Sequence, residues 1–128
     1  MGLDTVARTA CGGNNAIQGA EFLNPFPAYF NSNQYDPDFR RAGGEDDIQF
    51  GLWGTSKGIV DLLRRPGPGL TRERFVYYAE RASANTGVQP PVRYSPNDHF
   101  GGTGMHLNRA NCGAGRWETI TRGATRNF

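Results

Sequence analysis

Residues 48–65 form the one segment of this sequence that combines helical periodicity with signals at both ends of a long helix. Acidic residues 45–47 precede the segment and basic residues 64–65 close it, as the helix dipole favours. The Pro-Gly-Pro-Gly run at 66–69 then stops it. Its apolar side chains recur at helical spacing in one stripe: Leu52, Ile59, Val60, Leu62 and Leu63. Such a stripe needs a second layer to cover it, so we expect it to face the core.

Three glycines of this helix, Gly51, Gly54 and Gly58, share one face at positions i, i+3 and i+7. Each costs about 1 kcal/mol relative to alanine inside a helix. A strand, another helix or a ligand must therefore approach the helix backbone closely on that side. We expect packing against a sheet to be the reason.

The segment before the helix is rich in aromatic residues. Six of them lie within residues 22–39, interrupted by three prolines, a pattern too irregular for one long helix. So dense a set must pack under other structure or line a pocket. Residues 16–23 are predicted to form a strand. Asp36 is predicted to cap a short helix with Pro37 at its first position, ending by residues 43–44.

The segment after the helix predicts a second helix and three short strands. Thr71 is the expected N-cap of that helix, which should end near residues 85–87. Residues 92–94, 105–110 and 116–121 are predicted as strands, the last two joined as a hairpin. This order of elements is an α/β pattern. Its strands are few and short, which indicates part of a larger sheet and not a closed domain.

Charge and composition exclude several classes of function. The 14 basic and 12 acidic residues give a net charge of +2, and the basic residues do not form the clustered patch of a nucleic-acid-binding protein. No apolar run approaches the roughly 20 residues of a membrane-spanning helix. Residues 1–11 lack the apolar core of a secretory signal. Residues 1–15 and 122–128 are expected to be flexible.

Cys11 and Cys112 are the two cysteines of the chain. They could form one disulfide, remain two free thiols, or be unrelated to each other. No C-x-x-C spacing is present, which argues against a structural zinc site. A disulfide over this span would stabilise the fold by up to about 4–5 kcal/mol on the chain-entropy model, in an oxidising compartment.

Asp98, His99 and His106 are the residues that most suggest catalysis or metal binding. The sequence has four serines, and none lies in the G-x-S-x-G turn of a nucleophile elbow. Two histidines seven residues apart across a glycine-rich loop match no known ligand spacing. A turn at residues 95–98 with solvated or hydrogen-bonded loop histidines is the simpler interpretation. A small hydrolase or a metal-dependent enzyme that uses these three residues is kept as the alternative, and no cofactor is expected.

Phe50 and Trp53 lie in the first turns of the long helix, just after its acidic start. An aromatic side chain at a helix N-terminus can face a ligand, with free backbone N–H groups beside it. The alternative for either residue is ordinary core packing, which we favour when each is taken alone.

Six segments together resemble a known family in their order along the chain: 18–23, 36–39, 46–63, 68–73, 92–102 and 115–118. They resemble the C-terminal region of type 1 periplasmic solute-binding proteins, and most closely the branched-chain amino acid (leucine/isoleucine/valine) binding family of ABC importers. Residues 46–63 are similar to a helix of that region, and residues 92–102 to its late "l-x-y-s-p-x-d-H-x-G" segment. Residues 115–118 are similar to its closing "d-G-x-W" strand.

The resemblance implies two Rossmann-like lobes that hold a ligand between them. It makes residues 1–128 a single C-terminal fragment, a partial Rossmann-like lobe of the α/β class that is incomplete alone. It implies a non-catalytic role, the capture of an amino acid or similar small polar solute for the permease of an ABC importer. Phe50, with Trp53 one turn on, matches the family's ligand-facing aromatic residue, and residues 94–99 match a hinge crossing.

Most ligand contacts of that family would lie upstream of this region, so the resemblance implies that the fragment does not bind alone. It also implies a periplasmic or cell-surface location, with no nucleic-acid partner and no insertion into the membrane. Without a visible signal peptide, the chain as given could instead be cytoplasmic. A third class of function is a stand-alone protein-interaction module that uses the aromatic residues 22–39 as its interface.

Overall fold

The computed structural model describes residues 11, 18–102, 104–121 and 126–127. The elements in chain order are β1 (Glu21–Asn24), a 3-10 turn (Tyr29–Asn31), α1 (Ser32–Tyr35), α2 (Pro37–Arg41), α3 (Asp47–Arg64), α4 (Arg72–Ala79), β2 (Ser83–Ala84), β3 (Val92–Arg93), β4 (Gly104–Asn111), β5 (Arg116–Thr119) and β6 (Arg126–Asn127). Among these described residues, no helix is both long enough and apolar enough to span a membrane.

The strands of the described residues form two small antiparallel sheets. In the larger sheet β4 pairs with β1, β5 and β6, and in the smaller one β2 pairs with β3. The fold is thus a mixture of helices and small antiparallel sheets, which is compatible with the α/β class. Every strand pairing in the described part of the chain is antiparallel, so the parallel sheet of a Rossmann-like lobe is not shown there.

Local sequence patterns predicted several helices and strands correctly. The long helix α3 and the β4–β5 hairpin are confirmed, with shifts of one or two residues at their ends. The Asp36 side chain caps α2 by accepting hydrogen bonds from the backbone N–H groups of Asp38 and Phe39. The Thr71 hydroxyl caps α4 by accepting from the N–H of Arg74. These caps confirm the predicted starts of both short helices.

Two predicted element boundaries are wrong. Helix α4 ends at Ala79 and not near residues 85–87, because Ser83 and Ala84 form strand β2 with β3. The first strand begins at Glu21 within the described residues, and positions 16–17 of the predicted strand lie outside them. The predictions of flexible ends fall largely on residues that the structure does not describe.

Helix α3 has two faces that each predict burial, and the stripe of large apolar residues is not the one that is buried. Its buried residues are Phe50, Gly51, Gly54 and Gly58. The stripe that should have faced the core is exposed, with 62% exposure at Leu52, 52% at Ile59 and 43% at Leu63. The glycine face is the buried one because its missing side chains let other residues approach the helix backbone.

The close approach predicted for the glycine face is confirmed, but loop side chains and not a sheet make it. A Cβ atom added at Gly54 would lie 2.8 Å from Cγ1 of the fully buried Val88. A Cβ atom added at Gly58 would lie 3.5 Å from Cγ2 of Thr86, an ordinary van der Waals distance. The two positions therefore differ in the space available for a methyl group.

Alanine at these two glycines is expected to have opposite effects on stability. We expect Gly54→Ala to lower the free energy of unfolding by about 1–2 kcal/mol. The added methyl group displaces Val88, and the cost of that displacement exceeds the gain in helix propensity from glycine to alanine. Gly58→Ala should raise it by about 0.5–1 kcal/mol, since it gains helix propensity without a clash. Urea denaturation of both variants measures the difference. A Gly54→Ala protein as stable as the wild type would contradict the packing described.

Two hydrophobic clusters make the core of the described part of the chain. The first contains the buried residues Ala28, Ala110 and Trp117, with Ala20, Phe22, Cys11 and Cys112 packed against them. The second contains Phe39, Phe50 and Val88, with Phe26, Tyr29, Tyr35 and Trp53 packed against them. The aromatic segment 22–39 contributes to both clusters, as its density of aromatic residues predicted.

A disulfide joins Cys11 to Cys112, with 5.2 Å between their Cα atoms. Cys112 lies in the turn between β4 and β5, so the bond ties residue 11 to that turn at one end of the larger sheet. Both cysteines pack against the cluster around Trp117. Of the three alternatives open for this pair, the structure adopts the bridge.

Candidate functional site

A cleft beside the N-terminal half of α3 is the place where Trp53 reaches the surface. This cleft has a volume of about 300 Å³ and is called the Trp53 cleft below. Its lining residues are Phe39, Ala42, Gly43, Gly44, Gln49, Leu52, Trp53 and Ser56. All of them come from the short stretch 39–56. The cleft therefore offers one wall to a bound molecule, and no other part of the described chain lines it.

The carboxylate of Asp36 fixes the position of Trp53 in this cleft. Asp36 is buried, and its Oδ2 accepts hydrogen bonds from Trp53 Nε1 at 2.8 Å and from Lys57 Nζ at 2.6 Å. Its Oδ1 accepts from the backbone N–H groups that start α2. The sequence placed Asp36 only as a cap. The spacing of Trp53 and Lys57, four residues apart on α3, was the available signal for a shared partner.

The surroundings of Asp36 keep it charged. Burial alone would raise its pKa, but hydrogen bonds from Lys57 and Trp53, the positive charge of Lys57 and the N–H of Phe39 hold the pKa below its usual 3.8. Its oxygens are occupied by partners within the chain. Asp36 therefore acts as a structural anchor, and it offers no free oxygen to a ligand or to a proton transfer.

Phe50 and Trp53 take different positions although they are three residues apart. Phe50 is fully buried, with its ring 4.9 Å from the ring of Phe39. That position matches the core alternative, and it leaves Phe50 no exposed surface for a ligand. Trp53 is half-buried and lines the cleft. Of the two predicted ligand-facing residues, only Trp53 has access to a bound molecule.

Asp98, His99 and His106 have separate partners. The Asp98 side chain accepts hydrogen bonds from the backbone of the loop that follows it. The exposed His99 places its Nε2 3.0 Å from a carboxylate oxygen of Glu80, near the end of α4. His106 is buried in β4, with Nε2 3.0 Å from the carbonyl oxygen of Val88. The described residues hold no group of three or more His, Cys, Asp or Glu side chains suited to a metal ion.

His106 is part of the core. Desolvation by burial lowers its pKa below the usual 6.5, and the hydrogen bond to the Val88 carbonyl opposes that shift. The ring of Tyr35 packs edge-on against the imidazole at 5.2 Å. A neutral imidazole held in this way orders the interior between β4 and the loop at Val88, and sequence reasoning did not place it there.

A second depression lies between α4 and the C-terminal part of α3. It has a volume of about 230 Å³, and its walls are mainly apolar side chains: Leu62, Phe75, Val76, Ala79 and Tyr94. The Glu80–His99 pair lies at its rim. The depression has apolar area but few polar groups with which to orient a polar ligand. The Trp53 cleft therefore remains the better candidate for a binding site.

Comparison of the chain with protein-family models, with curated proteins and with solved structures found no match. The candidate site is therefore defined by its own geometry. That geometry consists of an aromatic wall at Trp53, the exposed Gly43 and the half-buried Gly44 beside it, and an Asp36–Lys57 ion pair behind the wall.

Proposed function

We propose that this chain is the C-terminal part of a two-lobed solute-binding protein of the type 1 periplasmic class. Its role would be to capture an amino acid or similar small polar solute for the permease of an ABC importer, without catalysis. The observation that carries the proposal is the Trp53 cleft. It is an open wall that displays an aromatic side chain at the start of the helix that resembles the family.

The chemistry of an amino acid explains why this wall would need a second one. Both charges of the solute must be paired when water is removed, which requires groups on opposed surfaces. Asp36 and Lys57 already pair with each other behind Trp53. The groups that hold the solute would then belong to other parts of a longer protein, and the chain alone would not bind.

The separation of Asp98, His99 and His106 supports the non-catalytic part of the proposal. Each of these side chains is engaged locally, and their partners lie in three different elements. General acid–base catalysis needs its groups within hydrogen-bond reach of one substrate atom. A periplasmic or cell-surface location follows from the proposed class.

An interface built from the aromatic segment 22–39 receives less support. Phe39 is buried, and Phe22, Phe26, Tyr29 and Tyr35 pack into the two core clusters. The most exposed member is Phe30, and the Arg116 guanidinium lies 3.5 Å from the centre of its ring. These aromatic side chains therefore contact other residues of the same chain, which leaves little aromatic surface for a partner.

Calorimetry with a panel of the twenty amino acids tests the proposal on this chain and on a form extended through the upstream genomic region. We expect the extended form to bind one class of amino acid and the short chain to bind none. Trp53→Ala in the extended form should weaken binding at least about tenfold, or 1.4 kcal/mol. Trp53→Phe keeps an aromatic wall and should lose less.

The matched control is Val76→Ala in the extended form, because Val76 is exposed on α4 and lies outside the cleft. This variant should bind as the wild type does. Two results would contradict the proposal. One is an extended form that binds no amino acid, and the other is turnover of an ester or amide by the short chain.

A further inference from the structure

We propose that protonation of His106 releases the loop of residues 86–90, called the Val88 loop below, from the glycine face of α3. His106 is 1% exposed, and its Nε2 lies 3.0 Å from the carbonyl oxygen of Val88. This hydrogen bond joins β4 to the Val88 loop in the interior of the protein. The proposal concerns a conformational response to acid and does not depend on the binding of a solute.

The two ring nitrogens of His106 differ in their surroundings. A carbonyl oxygen only accepts hydrogen bonds, so Nε2 carries the proton of the neutral ring. Nδ1 then has a lone pair, and it is buried without a hydrogen-bond partner among the described residues. A second proton would bind to Nδ1. It would place a positive charge in the interior, where an unpaired charge is costly.

The groups that face the ring from neighbouring elements carry no charge. The ring of Tyr35 comes from α1, the carbonyl of Val88 from the loop, and the carbonyl of Thr121 from the segment after β5. The Tyr35 hydroxyl, which is the titratable group among these, donates to the Thr121 carbonyl at 2.9 Å. Strand β1 places the uncharged Asn24 opposite His106 in the sheet. None of these groups neutralises an imidazolium ion.

The balance of these surroundings favours the neutral ring. The carbonyls of Val88 and Thr121 favour the protonated form, but desolvation outweighs them and lowers the pKa of His106 below the usual 6.5. No charged side chain in the described part of the chain contributes to that shift. A protonated ring is therefore stabilised chiefly by contact with water, which the closed interior does not allow.

The Val88 loop is held less firmly than the strand beneath it. Strand β4 pairs with β1, β5 and β6. Within the described residues, no backbone–backbone hydrogen bond joins residues 86–90 to another element, and the Thr86 hydroxyl accepts from N–H groups inside the loop. Besides the bond from His106, the loop is attached by side-chain packing such as that of Val88 on Gly54. Displacement of this loop is therefore the easiest way for water to reach the ring.

Release of the Val88 loop would also affect the Trp53 cleft from its buried side. Val88 forms a core cluster with Phe39 and Phe50, and Trp53 packs against that cluster. Departure of Val88 admits water to the glycine face and changes the surroundings of the indole ring. The indole N–H signal of Trp53 therefore provides a second measure of the same movement.

Nuclear magnetic resonance of the chain between pH 7.5 and pH 4.5 tests the proposal. The released state binds the second proton more readily than the closed state. Release therefore begins as the pH falls below 6.5 and grows until the lowered pKa of His106 is reached. Each pH unit in that window shifts the equilibrium about tenfold toward release. The lower limit of pH 4.5 lies above the range in which Asp36 loses its charge.

The readout is the protection of single backbone amides against hydrogen exchange, corrected for the intrinsic pH dependence of exchange. We expect protection at Val88 to fall at least about tenfold across the window. Protection at Ala110, whose N–H bonds to the carbonyl of Ala20 in the larger sheet, should stay unchanged. The loss at Val88 should follow the imidazole signal of His106, which is one of two histidines in the chain.

Two variants separate the histidines. His106→Gln keeps an N–H group that can donate to the Val88 carbonyl, but it does not titrate, so protection at Val88 should no longer depend on pH. His99→Gln is the matched control, since His99 is exposed and bonds to Glu80. It should lose protection at Val88 as the wild type does. The wild-type titration is decisive by itself if His106→Gln does not fold.

Protection at Val88 that stays constant down to pH 4.5 would overturn the proposal. Equal losses at Val88 and Ala110 would overturn it too, because they would show unfolding of the whole chain and not release of one loop. The same holds for a folded His106→Gln chain that still loses protection at Val88 in acid. None of these measurements involves a solute, so their outcome is separate from the test of solute binding.

Discussion

Replacement of Asp36 by alanine is expected to lower the free energy of unfolding by about 2–4 kcal/mol. The substitution removes the N-cap of α2, which is worth about 1 kcal/mol. It also leaves the Trp53 N–H and the Lys57 ammonium without the partner that they share, and a buried donor left unpaired costs about 1–3 kcal/mol. Lys57 is partly exposed and can turn to solvent, which limits the loss.

The matched control is Asp38→Ala in the same helix. Asp38 is exposed and forms a surface ion pair with Arg41, so its loss should change stability by no more than about 0.5 kcal/mol. Urea denaturation of both variants provides the comparison. If Asp36→Ala cost no more than Asp38→Ala, the buried network around Asp36 would not hold the α2–α3 junction as described.

Asp36 should also contribute to acid sensitivity. Its pKa in the folded chain lies below the usual 3.8, so the unfolded chain takes up the proton first as the pH falls. The contribution is fully present above the usual pKa and is lost as the pH falls through it toward the lowered value. We expect Asp36→Asn, which keeps a capping oxygen, to show a shallower loss of stability below about pH 4 than the wild type.

Removal of the disulfide is the second large effect that we expect. The free energy of unfolding of the double variant Cys11→Ala/Cys112→Ala should be about 2–5 kcal/mol lower than that of the oxidised wild type. The bond closes a sequence separation of 101 residues and so restricts the unfolded chain strongly. Both cysteines also pack against the cluster around Trp117, so alanine would lose apolar contacts there.

Reduction with dithiothreitol supplies the control for this variant. The reductant should bring the denaturation midpoint of the wild type close to that of the double variant, and it should leave the variant unchanged. A wild-type midpoint that does not respond to complete thiol reduction would show that the bond contributes nothing to stability.

The parts of the fold that the sequence predicted are those that local interactions determine. The bounds of α3 follow from the charges and the Pro-Gly run at its ends, and the caps at Asp36 and Thr71 need only neighbouring backbone groups. The hairpin of β4 and β5 likewise closes over a short turn. For such elements the signal and its cause lie within a few residues of each other.

The choice of buried face on α3 could not be predicted in this way. Both faces carry a pattern that predicts burial, one of large apolar residues and one of glycines. The choice depends on Val88, which is distant from α3 in the sequence and packs against the helix backbone at Gly54. The periodicity of a helix indicates that a face can be buried, but it does not indicate which residues pack against that face.

The candidate site shows the same limit at the scale of single side chains. Phe50 and Trp53 looked equivalent in the sequence, yet Phe39 covers one while Asp36 holds the other at the edge of a cleft. The role of Asp36 as an anchor depends on α2 lying against α3. That contact is tertiary, and no feature of either segment alone determines it.

The position of β4 in the larger sheet has a consequence for how the chain acquires its structure. Strand β1 is synthesised well before its partner β4, which begins only at Gly104. During ribosomal synthesis β1 therefore has an unpaired edge until the residues between the two strands, and then β4 itself, have emerged. Pairing between such distant segments is slow, and waiting edges favour aggregation. Chaperones that bind nascent chains should therefore raise the yield of native protein.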